Sequence, residues 1–159
     1  MTLWLDPATF ADDALSAGEL NAGLGNNMRV IGDPWPPYDV TLFAWTLVNG
    51  TLEGWAQMLG KEVHGRIEYT VGAGDTKAGI PTFSLPALPL VVSQRSCLGH
   101  AGLFDTSAAN RLFRFAILTT TGGGSLGLSD QNDVRVSDTV PWTWATGDQM
   151  LIDFRYEGA

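Results

Sequence analysis

The stretch Glu62-Val63-His64-Gly65-Arg66-Ile67-Glu68-Tyr69-Thr70-Val71 decides the fold. Val63, Gly65, Ile67, Tyr69 and Val71 take every second position, and His64, Arg66, Glu68 and Thr70 take the others. Successive side chains of an extended chain point to opposite faces, so this pattern predicts a strand with one buried and one wet face. The closing stretch repeats it. Met150, Ile152, Phe154 and Tyr156 alternate with Leu151, Asp153, Arg155 and Glu157. Two such strands predict a sheet whose apolar sets share one core.

Outward from residues 62–71, Gly60-Lys61 closes a preceding strand over 51–59, which Asn49-Gly50 opens as a strong turn signal. Residues 38–48 are apolar and β-favouring. Residues 72–79 read as a loop with Asp75 and Thr76 at its tip. A short strand over 82–85 ends at Pro86, and an irregular one over 91–98 continues through 100–104. In 111–119, Phe113, Phe115 and Ile117 oppose Arg114 and the small Ala116, while Leu112 and Leu118 break the register. Gly122-Gly123-Gly124 is a bend. Leu126 and Leu128 mark another strand, 133–137 one more, and 141–145 place Trp142 and Trp144 on one face. About seven to nine short strands without a βαβ pattern predict an all-β fold, an antiparallel β-sandwich of jelly-roll type.

The N-terminal part differs. Ser16 and Glu19 have capping-box spacing. Leu20, Leu24 and Met28 then fall on one side of a helix; Leu20, Leu24, Asn27 and Ile31 also fit a seam. Gly18, Gly23 and Gly25 each weaken it by about 1 kcal/mol if interior, so this short helix needs a surface to lie on. Pro34, Pro36 and Pro37 end it and read as a stiff linker. The expected division is an attachment segment over 1–34 and a β body over 35–159.

Composition narrows the function classes. The chain has 159 residues and a mass of 17.0 kDa, enough for one domain with an appendage. The formal net charge is -8, and Lys61 and Lys77 are the only lysines. Without Lys/Arg clusters, nucleic acid and anionic membrane surfaces are disfavoured. The apolar run around Pro86 and Pro89 is too short and broken for membrane insertion. The acidic N-terminus does not read as a secretory signal. Cys97, the one cysteine, can form no internal disulfide and no Cys-rich zinc site.

Phosphate-loop, dinucleotide and nucleophile-elbow motifs are missing, and Gly72-Ala73-Gly74 precedes no helix pattern. His64 reads as a half-exposed sheet histidine. His100, with Asp105 and Cys97, could be drawn as a nucleophilic set, but Cys97 sits in an apolar run where a buried thiol is the default. Glu62 and Glu68 would stand about 20 Å apart along a strand, too far to share one glycosidic bond. Asp130, Asn132 and Asp133 read as an Asx turn rather than a calcium loop. The expectation is therefore no catalytic residue, metal or cofactor, and no enzyme. The aromatic residues offer something else. Most tryptophans should fill the core or subunit seams, and Trp35, Trp55 and Trp142 are the candidates for glycan or interface contact.

Several phrases then form an ordered set. Asn49-Gly-Thr-Leu-Glu-Gly-Trp55 is followed by Leu59-Gly-Lys-Glu-Val-His64-Gly-Arg-Ile67, then Pro81-Thr-Phe-Ser-Leu-Pro86, Pro141-Trp-Thr-Trp-Ala-Thr-Gly-Asp148 and Phe154-Arg-Tyr-Glu-Gly158. Their order and spacing resemble a module of bacteriophage fibre and minor structural proteins, with Trp55 where Arg is usual and Trp142 where Phe is usual. Phe10-Ala-Asp-Asp-Ala-Leu-Ser-Ala-Gly-Glu-Leu-Asn21 is similar to the opening that precedes such modules. The resemblance implies a virion protein, a tail-fibre or capsid-decoration component that forms a homotrimer and reaches the exterior after host lysis. Its N-terminal segment, through Leu20, Leu24 and Met28, would contact other virion proteins, and its knob would serve host attachment, with surface carbohydrate as a ligand. The alternatives are a purely structural capsid or tail adaptor and a non-viral carbohydrate-binding module.

Overall fold

The computed structural model describes residues 34–60, 62–86, 98–107, 112–120, 125–130 and 132–157, with the backbone alone at 98 and 112–120. The chain divides into two units, Met1–Trp35 and Pro36–Ala159. The expected helix bearing Leu20, Leu24 and Met28 lies outside the described residues, as does most of the strand expected over 91–98.

The second unit is all-β and antiparallel. Its strands are β1 (Leu42–Phe43), β2 (Thr51–Leu59), β3 (Glu62–Thr70), β4 (Thr82–Ser84), β5 (Leu98–Asp105), β6 (Leu112–Thr120), β7 (Ser125–Asp130) and β8 (Gln149–Glu157). They form one hydrogen-bonded ladder in the order β1-β4-β7-β6-β5-β8-β3-β2. Leu59 pairs with Glu62, so Gly60 and Lys61 alone make the β2–β3 connection, and Gly60 takes the positive φ of 63° that such a turn demands. β8 inserts between β3 and β5, pairing Ile152 with Ile67 on one side and with Ala101 on the other.

The alternating faces hold. Val63, Ile67, Tyr69, Met150, Ile152, Phe154 and Tyr156 are buried, together with Leu103, Leu126 and Leu128. The ladder is strongly curled. Tyr69 on β3 and Phe83 on β4 stand five places apart in strand order, roughly 24 Å in a flat sheet. Their ring centroids are 6.4 Å apart. Trp45 lies edge-on to both Tyr69 and Trp144 and completes this aromatic centre.

Three local expectations are corrected. Residues 38–48 do not form one long strand. Ala44 has φ 68°, which breaks the extended chain and leaves Leu42–Phe43 as a short edge strand and Thr46 as an isolated bridge to Thr76. Residues 133–137 make single bridges only. There the Asp130 carboxylate accepts the N–H groups of Asn132 at 2.8 Å and Val134 at 2.9 Å, holding an Asx turn with Asp133 at φ 61°. Residues 141–145 are irregular around a cis Val140–Pro141 bond, with Trp144 buried and Trp142 half-buried beside it.

Gly65 shows why an apolar face carries a glycine. It pairs with Phe154, and a Cβ at Gly65 would land inside the Phe154 ring. We expect Gly65→Ala to cost about 1–3 kcal/mol, because the ring would have to leave its packed position. Thermal unfolding checks this, and an unchanged midpoint would show that the ring is not held there.

Candidate functional site

Buried carboxylates are the usual first place to look for chemistry. Asp75 is 7 % exposed. Its Oδ1 accepts the backbone N–H groups of Val48, Asn49 and Gly50 at 2.8, 3.1 and 3.1 Å. Its Oδ2 accepts the Gly72 N–H at 2.8 Å and the Tyr69 hydroxyl at 2.9 Å. Burial alone would raise this carboxyl. The donors from Gly72, Val48, Tyr69 and Gly50 outweigh it and hold the group well below the ordinary aspartate value. Burial, reinforced by the facing Asp75 charge, pushes the Tyr69 phenol above its usual range. The expected loop tip is thus a buried clamp that joins the turn before β2 to the loop after β3.

Asp148, with no exposed surface, does the same elsewhere. Its carboxylate accepts the N–H groups of Thr106 at 2.9 Å, Ser107 at 3.3 Å and Ala145 at 2.8 Å. Ser107 also donates its hydroxyl to Asp105 at 2.8 Å. Asp75 and Asp148 are spent on backbone amides and are built for rigidity. Their phrases, Asn49-Gly50 and Ala145-Thr-Gly-Asp148, are among those that carry the resemblance.

The histidines lie apart from these clamps. His64 is half-buried on the outer face of β3, with Nε2 3.1 Å from Glu62. His100 is exposed and stands across from Asp153, whereas Asp105, five positions along β5, falls on the opposite, buried face. The strand therefore separates the His100–Asp105 pair. Among the described residues, no three His, Cys, Asp or Glu side chains gather as a metal site.

The outer face of β2, β3, β8 and β5 is polar. One row runs Trp55, Arg66, Asp153, His100 across the four strands. Arg66 donates from Nε to Asp153 at 3.0 Å; both side chains are about half exposed, and such pairs contribute about 0–1 kcal/mol.

At the edge of β2 the chain before β1 lies alongside the strand. Tyr38 donates its N–H to the Gly54 carbonyl at 2.9 Å, and Ala56 donates to the Pro36 carbonyl at 3.0 Å. The Tyr38 hydroxyl reaches the Ser84 carbonyl at 3.3 Å, so this segment ties the β2 end of the ladder to β4. Burial, with the Tyr156 hydroxyl nearby, pushes the Tyr38 phenol above its usual range. Gly54 has no side chain, and the Tyr38 ring and Val40 occupy the space a Cβ would need. An open groove of about 320 Å³ lies along this edge, lined by Trp55, Tyr38, Asp39 and Glu53 with Pro37, Val40, Leu52 and Gly54. Asp39 and Glu53 are exposed, and Trp55 is half-buried.

Of the three tryptophans singled out in the sequence, Trp55 lines this groove. Trp142 packs against the core, with its ring centroid 5.3 Å from that of Trp144 and its buried Nε1–H finding no acceptor among the described residues. Trp35 is exposed at the end of the first unit. Asp39, Glu53 and Tyr38 were not anticipated, because the pairing of 36–38 with 54–56 leaves no periodic signal. Compared with protein-family models, with curated proteins and with solved structures, the chain finds no match.

Proposed function

We propose that this chain is a bacteriophage virion structural protein, a tail-fibre or capsid-decoration subunit whose β body binds a host-surface glycan. The observation that carries this reading is the groove beside β2. The Trp55 indole and two exposed carboxylates, Asp39 and Glu53, line it together on a body stiffened by the Asp75 and Asp148 clamps. Aromatic faces stack on sugar rings, and carboxylates accept sugar hydroxyls. The ordered phrases from Asn49 to Gly158 support the viral assignment. Residues 1–34, with Leu20, Leu24 and Met28, act as the attachment piece toward other virion proteins. The protein would be carried outside the host by lysis.

The finer fold belongs to the same proposal. The β4–β7 side of the ladder lies on the β3–β8 side as two layers of a β-sandwich, a reading supported by the Tyr69–Phe83 contact. The subunits form a homotrimer, in which many weak glycan contacts add up to avidity. Light scattering should then give about 51 kDa, three times 17.0 kDa; a stable monomer at micromolar concentration would remove the trimer. A glycan array probed with the purified protein should show signals that Trp55→Ala abolishes. A flat array would sink the glycan role.

A second reading, the purely structural adaptor, is favoured by one observation. Phe43, Leu47, Val48 and Ile80 are all at least 41 % exposed, and apolar exposure of this kind suits a contact with another protein.

A further inference from the structure

We propose that the groove selects a cationic sugar, a hexosamine residue with a free amine, over its neutral N-acetylated form and over acidic sugars. This rests on the glycan-binding reading above. The space of about 320 Å³ lies at the lower end of the range for small-molecule sites, which suits a short sugar segment rather than a long chain.

Its charge is one-sided. Asp39 and Glu53 line it, and among the described residues no lysine or arginine does. Glu53 faces Glu68 across the β2–β3 pairing, which adds a third carboxylate to the same sheet face. The nearest arginine in that register, Arg66 opposite Trp55, is engaged with Asp153. Lys77 sits in the 72–79 loop and donates to the Asp75 carbonyl at 3.4 Å. The whole chain carries -8, so the long-range field has the same sign as the groove. An acidic sugar meets repulsion here. A protonated amine meets two carboxylates beside an indole, a combination that suits compact organic cations.

The test is a titration of the ¹⁵N-labelled full chain at pH 6, where the sugar amine is protonated. The Trp55 indole N–H signal is assigned with Trp55→Phe. The probes are a glucosamine tetramer, the matching N-acetylglucosamine tetramer, a sialylated trisaccharide and a lysine tetrapeptide. The glucosamine tetramer should bind at least about tenfold more tightly than its acetylated counterpart. The preference should fall below about threefold near 1 M salt, where screening acts within about 3 Å. Glu53→Gln, an exposed and conservative change, should remove most of it without altering the melting temperature.

Equal binding of both tetramers at the Trp55 signal would overturn the charge selection and leave glycan binding standing. Equal binding of the lysine peptide would show that the groove reads charge alone and overturn the sugar. Silence of the Trp55 signal with all four probes would overturn both this inference and the glycan reading.

Discussion

Replacing Asp75 by alanine is expected to lower the free energy of unfolding by about 3–4 kcal/mol, a large share of the 5–15 kcal/mol typical of a domain. The change strips an acceptor from four backbone N–H groups and the Tyr69 hydroxyl together. Gly72 and Tyr69 are buried, so their donors cannot all turn to water. Asp75→Asn keeps one oxygen but points an N–H₂ at a donor, and should cost roughly half as much.

The pH dependence has a definite sign. The folded carboxyl lies below the ordinary value of 3.8. Its stabilisation is therefore fully present above that value and is lost as pH falls through the lowered folded one. Urea melts at pH 7 and pH 3 should show the wild type losing stability and Asp75→Asn losing distinctly less. Identical losses in the two proteins would mean that Asp75 does not carry this linkage.

Gly72→Ala should be at least as damaging, about 3 kcal/mol or more. A Cβ at Gly72 would fall on the backbone of Asn49 and Gly50, where no side chain can swing aside. Relief requires the two loops to part, and parting them breaks the Asp75 clamp. Gly72→Ala and Asp75→Asn should accordingly combine to less than the sum of their separate costs. Gly79→Ala is the useful contrast. Gly79 has open space around it and φ 77°, so alanine there should cost only about 1 kcal/mol. If Gly72→Ala proved no worse than Gly79→Ala, the close approach of the two loops would not exist in solution.

The strands most legible in the sequence are those buried on one face and wet on the other. β3 and β8 alternate without a break, and β2 ends at its two turn signals, so their limits in the structure match the expected ones to within a residue. Residues 38–48 misled because hydrophobic, β-favouring composition does not report backbone conformation. The positive φ at Ala44 and the edge pairing of 36–38 answer to distant partners. Trp142 and Trp144 misled for a related reason, since spacing by two places side chains on one face only where the chain is extended. At the candidate site, Trp55 stood out as one of six tryptophans, on the strand expected over 51–59. Asp39 and Glu53 looked like ordinary surface acids, and Asp75 like an ordinary loop residue.

The amino-acid order by itself determined that this is an antiparallel all-β body, because period-2 alternation follows from local geometry and from the exclusion of apolar groups from water. Only the tertiary structure decided which carboxylates are buried clamps and which line a groove. That difference depends on which loops and strand edges meet, and contacts between residues far apart in the chain leave no local periodicity to read.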